Sequence, residues 1–230
     1  MATNYNPRTV MDGLVIHVDA ANPKSYPGSG STWYDMSTSG INGTLDTHTF
    51  DSTTKSLTFS GNGTNCDIQL SGVPLNTTTG GNTIEQWFNC AANNSMPITF
   101  WNVQLDLWVS NNHFGINNGA SLVYGIDFTN LFSTWIHCVV YIPYNWSSLT
   151  ASNAKMYING ESQTLTQRQG SFSSPGISSS QNMGIGGGFV NGSNTYNFNG
   201  KIATTKIYNR ELTAAEVLEN FEATRGRFGV

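Results

Sequence analysis

Short runs of β-branched and aromatic residues, each closed off by Gly, Asn, Pro or Ser, recur along the chain, and an apolar period of 3.6 residues is almost absent. Such a chain buries its apolar side chains by stacking one sheet on another, since each strand offers a flat face and few helices are there to cover it. GLVIHVD at 13–19 reads as a strand between turn formers at Asp12 and Gly13 and at Asn22 and Pro23. KSLTF at 55–59 alternates polar and apolar, as a half-buried strand does, whereas TIEQWFN at 83–89 has apolar residues on both parities and so predicts a strand covered on each face. Further strands are predicted at 98–109 with a break near Asn102, and at 135–142, 154–158, 182–185 and 201–208. Asn159 and Gly160 tolerate the positive φ angles of a type I′ hairpin turn. Residues 23–43 read as a long loop pinned by Trp33 and Tyr34.

One helix is predicted, at 213–224. Thr213 caps it, Glu216 three residues on completes a capping box, and Leu212 and Val217 are placed for a hydrophobic staple. Leu218 and Phe221 are spaced to share the inward face, and Gly226 is available for a left-handed stop. The pattern gives an all-β, two-sheet antiparallel sandwich of jelly-roll type with one short C-terminal helix, as a single domain over 13–230 behind an N-terminal arm, 1–12.

Charged residues are 10% of the 230, against a usual quarter, and the formal net charge is −4 with no run of Lys or Arg. That balance offers no footprint for nucleic acid or an anionic membrane, and no apolar run is long enough to span a bilayer. The opening residues lack an apolar leader segment, so synthesis in the cytoplasm without a signal peptide is expected.

Candidate sites are few. Cys66, Cys90 and Cys138 are odd in number and widely spaced, which suits buried thiols better than disulfides or zinc. His17, His48, His113 and His137 have no metal-ligand spacing, so no metal residue is assigned. Paired-carboxylate hydrolysis needs two acids about 5–10 Å apart, and the Glu-x-Asp-x-x-Glu pattern of such hydrolases is missing. Glu85 reads as a rim or sheet-surface residue and Asp106 as a strand residue satisfied by neighbours or solvent, so no catalytic residue is assigned and no enzyme is expected. GIGGG at 184–188 lacks the helix and Lys of a phosphate loop and reads as a strand end and turn. Tyr144 and Trp146, in the polar loop PYNWSS at 143–148, are candidate glycan contacts through their ring faces, with loop pinning or subunit contact as the alternative. Trp101 and Trp108 read as core residues, with a rim position as the alternative. In the tail RGRFGV, Arg225, Arg227 and Phe228 are candidates for attachment to a partner, while Phe228 folding back onto the sandwich edge is equally compatible.

The residues also carry a resemblance. GLVIHVDAANPKSYPGSGSTWYD at 13–35 with INGTL at 41–45, FSG at 59–61, TIEQW at 83–87, Trp135, MYING at 156–160, FNGKIA at 198–203, IYNRELT at 207–213 and RGRFG at 225–229 resemble laminin-G-like, concanavalin A-like proteins of tailed bacteriophages. The resemblance implies two antiparallel sheets whose first and last long strands are neighbours. It also implies a virion structural or decoration protein of capsid, neck or tail, whose partners are other virion proteins or copies of itself. Carbohydrate binding that aids adhesion to glycans is the alternative. Many such proteins place an acidic residue soon after Phe-x-Gly. Here NGTNCD at 62–67 intervenes, so calcium is not supported and no cofactor is expected. If the first and last strands pair, both chain ends leave from one neighbourhood, and the polar stretch 1–11 is expected to order only against a partner.

Overall fold

A computed structural model describes residues 8–46, 48–61, 68–100, 105–118, 121–144, 149–168, 181–190, 193–195 and 197–230. In its first half the turn residues cut the chain into β1 (Leu14–Asp19), β2 (Thr32–Trp33), β3 (Gly43–Thr44), β4 (Thr49–Asp51), β5 (Ser56–Ser60), β6 (Ile68–Val73), β7 (Gly81–Cys90), β8 (Ser95–Phe100) and β9 (Leu105–Ser110). The second half holds β10 (His113–Asn118), β11 (Ser121–Asp127), β12 (Trp135–Pro143), β13 (Lys155–Ile158), β14 (Glu161–Gln163), β15 (Thr166–Gln167), β16 (Gln181–Ile185), β17 (Gly188–Val190), β18 (Ser193–Thr195), β19 (Asn199–Tyr208) and the helix α1 (Ala214–Thr224).

The strands form two antiparallel sheets. One runs β14-β13-β12-β7-β19-β5-β4, with β1 beside the second half of β19; the other runs β15-β11-β10-β9-β8-β16-β6. The expected pairing of first and last long strands is present, His17 opposite Lys206 and Asp19 opposite Thr204. Between the sheets lies the main core, where Ile84, Phe88, Ile136 and Ile207 of the first meet Leu70, Leu107, Phe114 and Ile185 of the second. The expectation that the 83–89 segment is covered on both faces holds, because β7 is buried almost throughout. Asn159 at φ 52° and Gly160 at φ 80° make the hairpin turn between β13 and β14.

The second face of the first sheet is covered by α1. Thr213 Oγ1 accepts from Glu216 N and the Glu216 carboxylate accepts from Thr213 N at 2.8 Å, so both halves of the capping box form. Leu212 and Val217 join Leu14, Val139, Tyr157 and Tyr208 in a second apolar cluster, the predicted staple docked on the sheet. Two details differ from the sequence expectation. The buried face is Val217, Asn220 and Phe221, while Leu218 is 49% exposed, because the turn packs onto a sheet with a polar centre. Gly226 is not a left-handed stop: Arg225 caps the helix at φ −58° and the chain continues into a 3-10 turn over Arg225–Arg227, with the positive φ deferred to Gly229.

The N-terminal stretch is also held more closely than expected. Val10 N donates to Asn220 Oδ1 at 2.8 Å and Val10 O accepts from Tyr208 Oη at 3.1 Å, so residue 10, within the expected arm, is bonded to the domain.

Candidate functional site

Period-two alternation puts Glu85 on the outer side of β7, but α1 then buries it completely. Its Oε1 accepts from Lys206 Nζ at 2.7 Å and lies 3.1 Å from His137 Nε2, while Oε2 accepts from Asn220 Nδ2 at 2.6 Å. Burial alone would raise the Glu85 pKa, yet Lys206 and His137 outweigh it and hold the carboxyl ionised, well below the ordinary range. Asn220 also donates to Tyr208 Oη at 3.0 Å. Glu85 is therefore not the sheet-surface residue expected from sequence: it is the fully buried centre of a polar network joining sheet, helix and Val10. His17, across from Lys206 on β1, is pushed down to about 4 by burial and by that ammonium, and so stays neutral near pH 7.

The other strand carboxylate, Asp106, belongs to the second sheet. Leu105 and Leu107 point into the core, so Asp106 between them faces outward, opposite Asn117 on β10. It is fully buried, accepts from Asn117 Nδ2 at 2.9 Å, and is pushed up to about 8 by burial, the amide only partly offsetting it. Glu85 and Asp106 thus look out from opposite sides of a sandwich whose sheets are stacked about 10 Å apart, too far and in the wrong directions to flank one bond. Among the described residues, no three His, Cys, Asp or Glu side chains converge to hold a metal, and no helix is long and apolar enough to cross a membrane. Cys90 and Cys138 are buried free thiols; Cys66 and Trp101 lie outside the described residues. Trp108 is half-buried on β9 beside Asp106.

Tyr144 sits where β12 runs out into a loop. The last rung of the β7–β12 ladder pairs Gly81 with Pro143, and glycine is required there, since a Cβ on residue 81 would come within 2.3 Å of Ile142 O. One residue on, Tyr144 N donates to Gly80 O at 2.9 Å, which fixes the backbone while leaving the side chain 39% exposed. Beside it, the loop before β7 is locked by amides. Asn82 accepts from Asn76 N at 2.8 Å and donates to Asn76 O at 2.9 Å, and Asn76 Oδ1 accepts from Thr78 N and Thr79 N at 3.2 and 3.1 Å. An uncharged rim results, in which the backbone of Tyr144 is bonded to Gly80, the residue that follows the exposed Thr78 and Thr79. Trp146, its expected companion, lies outside the described residues.

The tail candidates are largely engaged within the chain. Phe228 stacks on Trp87 at 4.0 Å between ring centroids and meets Trp135 at 4.8 Å. Arg227 donates to Asp19 Oδ1 at 2.7 Å and to Lys55 O, and lies over the Phe228 ring. Of the three, Arg225 stays exposed, paired with Glu222 at 2.8 Å. The fold-back alternative for Phe228 is the one the geometry displays; sequence reasoning did not find its partner, Trp87, because the two are far apart along the chain.

Against known families, the laminin-G-type profile described as the concanavalin A-like lectin/glucanases superfamily matches residues 60–218, well over half of the chain. The chain belongs to this family. For this laminin-G-type domain the match runs from the end of β5 into α1, taking in β6 to β19, the Tyr144 rim, and Glu85, His137, Lys206 and Tyr208 of the polar network. No curated protein matches it by sequence. Among solved structures, Trypanosoma rangeli sialidase in complex with a difluorinated KDN derivative is similar at a TM-score of 0.61 and 16% identity, over 94% of this chain and 33% of the sialidase chain. The binding domain of Paraclostridial Mosquitocidal Protein 1 is similar at 0.61 and 15%, over 91% of this chain and 52% of that one. The binding domain of botulinum neurotoxin serotype G follows at 0.60 and 14%, over 90% and 50%. At these identities the likeness is one of fold, and the laminin-G-type domain spans a third of the sialidase and about half of each binding-domain chain.

Proposed function

We propose that the chain is a non-catalytic recognition domain that binds carbohydrate at the loop rim around Tyr144. The observation that carries this reading is the rim itself: a partly exposed phenol ring on backbone pinned to Gly80, at the end of the loop that holds the exposed Thr78 and Thr79, with no charge among these side chains. A ring of this kind stacks on the C–H face of a sugar while hydroxyls and amides take its polar edge. Membership of a superfamily described by its lectins and glucanases, and similarity to a sialidase also solved in complex with sialic acid, support carbohydrate as the ligand class. The glucanase alternative has less support, since Glu85 is spent in a closed ion network and Asp106 is buried on the opposite sheet. On a glycan array the wild-type domain is expected to give reproducible hits, of which at least one is lost with Tyr144→Ala while the far-UV spectrum is unchanged. An array on which every hit survives the substitution would take the contacts away from the rim, and an array without hits would remove the reading.

The setting we propose is a tailed-phage virion, with other virion proteins as partners. This rests on the resemblance carried by residues 13–35, 41–45 and 198–229. With Phe228 and Arg227 engaged inside the domain, attachment is assigned to the stretch before Val10 and to exposed Arg225. Mass spectrometry of purified particles tests it: the chain should be present at stoichiometric copy number, and its absence from particles would overturn the setting.

A further inference from the structure

A polar groove whose lining does not include Tyr144 runs along the edge of the second sheet. There β6 is the terminal strand, and the segment leading from β3 passes beside it. The approach is tight: a Cβ on Gly43 would fall within 2.3 Å of Ile68 Cγ2, so only glycine lets the ribbon seat against the strand. The segment is anchored from behind. Leu45 is buried and its N donates to Ser31 O at 2.9 Å, Ile41 N donates to Asp35 Oδ2 at 3.1 Å, and Asn42 Oδ1 accepts from Asp35 N at 2.9 Å.

Between the two walls runs a groove of about 580 Å³, within the usual range of ligand pockets, lined by Ile41, Asn42, Thr44, Asp46, Gln69 and Ser71 among others. Alternation on both walls sends polar side chains into it. Thr44, Asp46, Gln69 and Ser71 are exposed and make no side-chain hydrogen bond with the described residues, and Asn42, with its oxygen engaged, keeps its two N–H donors. Among the described residues the lining offers donors, acceptors, aliphatic surface at Ile41 and Leu45, and one charged group, the Asp46 carboxylate. It has no Lys or Arg to neutralise an anion.

From this geometry we infer that the groove between residues 41–46 and β6 is a subsite for a neutral, polyhydroxylated ligand, a hexose-class sugar ring. Asp46 accepts from vicinal hydroxyls, the Asn42 and Gln69 amides take the ring and exocyclic oxygens, and Ile41 meets a C–H face. Acidic sugars are disfavoured by Asp46, which separates this subsite chemically from one for sialic acid. The inference extends the carbohydrate reading to a second, independent place on the domain.

Titration of the ¹⁵N-labelled chain with methyl α-galactoside, methyl α-glucoside, N-acetylglucosamine and N-acetylneuraminic acid, followed by amide chemical shifts, tests it. At least one neutral sugar should move the amides of 41–46 and 69–71 saturably, and N-acetylneuraminic acid should not. Asp46→Ala with Gln69→Ala should weaken that binding at least tenfold, whereas Tyr144→Ala leaves it intact. Shifts confined to the Tyr144 rim would overturn the groove and keep the carbohydrate reading. Shifts nowhere would overturn both, and equal shifts with N-acetylneuraminic acid would overturn the neutral-ligand assignment.

Discussion

Two carboxylates show how neighbours, rather than residue type, decide what an acid does. Glu85 keeps its charge inside the protein because Lys206 and Asn220 meet its two oxygens, so removing one partner is costly while removing charge altogether is not. Glu85→Gln should destabilise the domain by about 3–5 kcal/mol in equilibrium urea unfolding, since it leaves the Lys206 ammonium buried and uncompensated, and Glu85→Leu with Lys206→Met should recover most of that loss. Asp106 is the opposite case. Its native pKa of about 8 lies above the unfolded value of about 4. The native state therefore keeps a proton that the unfolded chain releases, and the stability this gives is fully present below about pH 4 and lost as pH rises toward 8. Asp106→Asn should flatten that decline, raising stability by about 2 kcal/mol or more at pH 8 and changing little at pH 4. Urea midpoints that shift equally at both pH values would show that Asp106 is not protonated in the fold.

At the scale of elements, legibility followed local chemistry. The strands β1, β7, β12 and β19 were readable because β-branched runs alternate cleanly between turn formers, and α1 because Thr213, Glu216, Leu212 and Val217 sit within six residues of one another. The strands β6, β10 and β11 were not. Gly72 takes φ +76° inside β6, and Gly115 and Gly125 face each other across β10 and β11, where a Cβ on either would strike the partner backbone. Interior glycines read as breaks unless the opposing strand is known. Likewise the Glu85 position followed from alternation, but its burial depends on a helix more than a hundred residues later, and the groove joins two segments of unremarkable polar residues that only the topology brings together. The partial exposure of Tyr144 was legible because it opens a polar loop, while a glycan contact there is the reading proposed above. Two outcomes belong to this scale. Thr213→Ala should cost about 0.5–2 kcal/mol by removing the cap. Deleting residues 1–7 should leave the melting temperature unchanged, whereas deleting 1–11 should lower it, because Asn220 Oδ1 then loses Val10 N and the Tyr208 hydroxyl loses Val10 O. Equal melting of the two truncations would mean that these bonds carry no stability.

For the whole molecule, one face of the first sheet is closed off from solvent. The face of the first sheet that carries Glu85 is sealed by α1, by the Trp87–Phe228 stack and by the Arg227 contacts to Asp19 and Lys55, so that side is spent on stability. The proposed recognition sites are the loop rim at Tyr144 and the groove beside β6, the first uncharged and the second carrying Asp46, both set on hydrogen-bonded backbone. Neither places two carboxylates across a bond, so binding without turnover is the central claim. Its most direct test is to hold the domain with its best-binding glycan through a long incubation, recover the glycan, and weigh it by mass spectrometry. The account predicts saturable binding and a glycan recovered intact. Shortened chains accumulating in proportion to protein, and abolished by Glu85→Gln or Asp106→Asn, would contradict it.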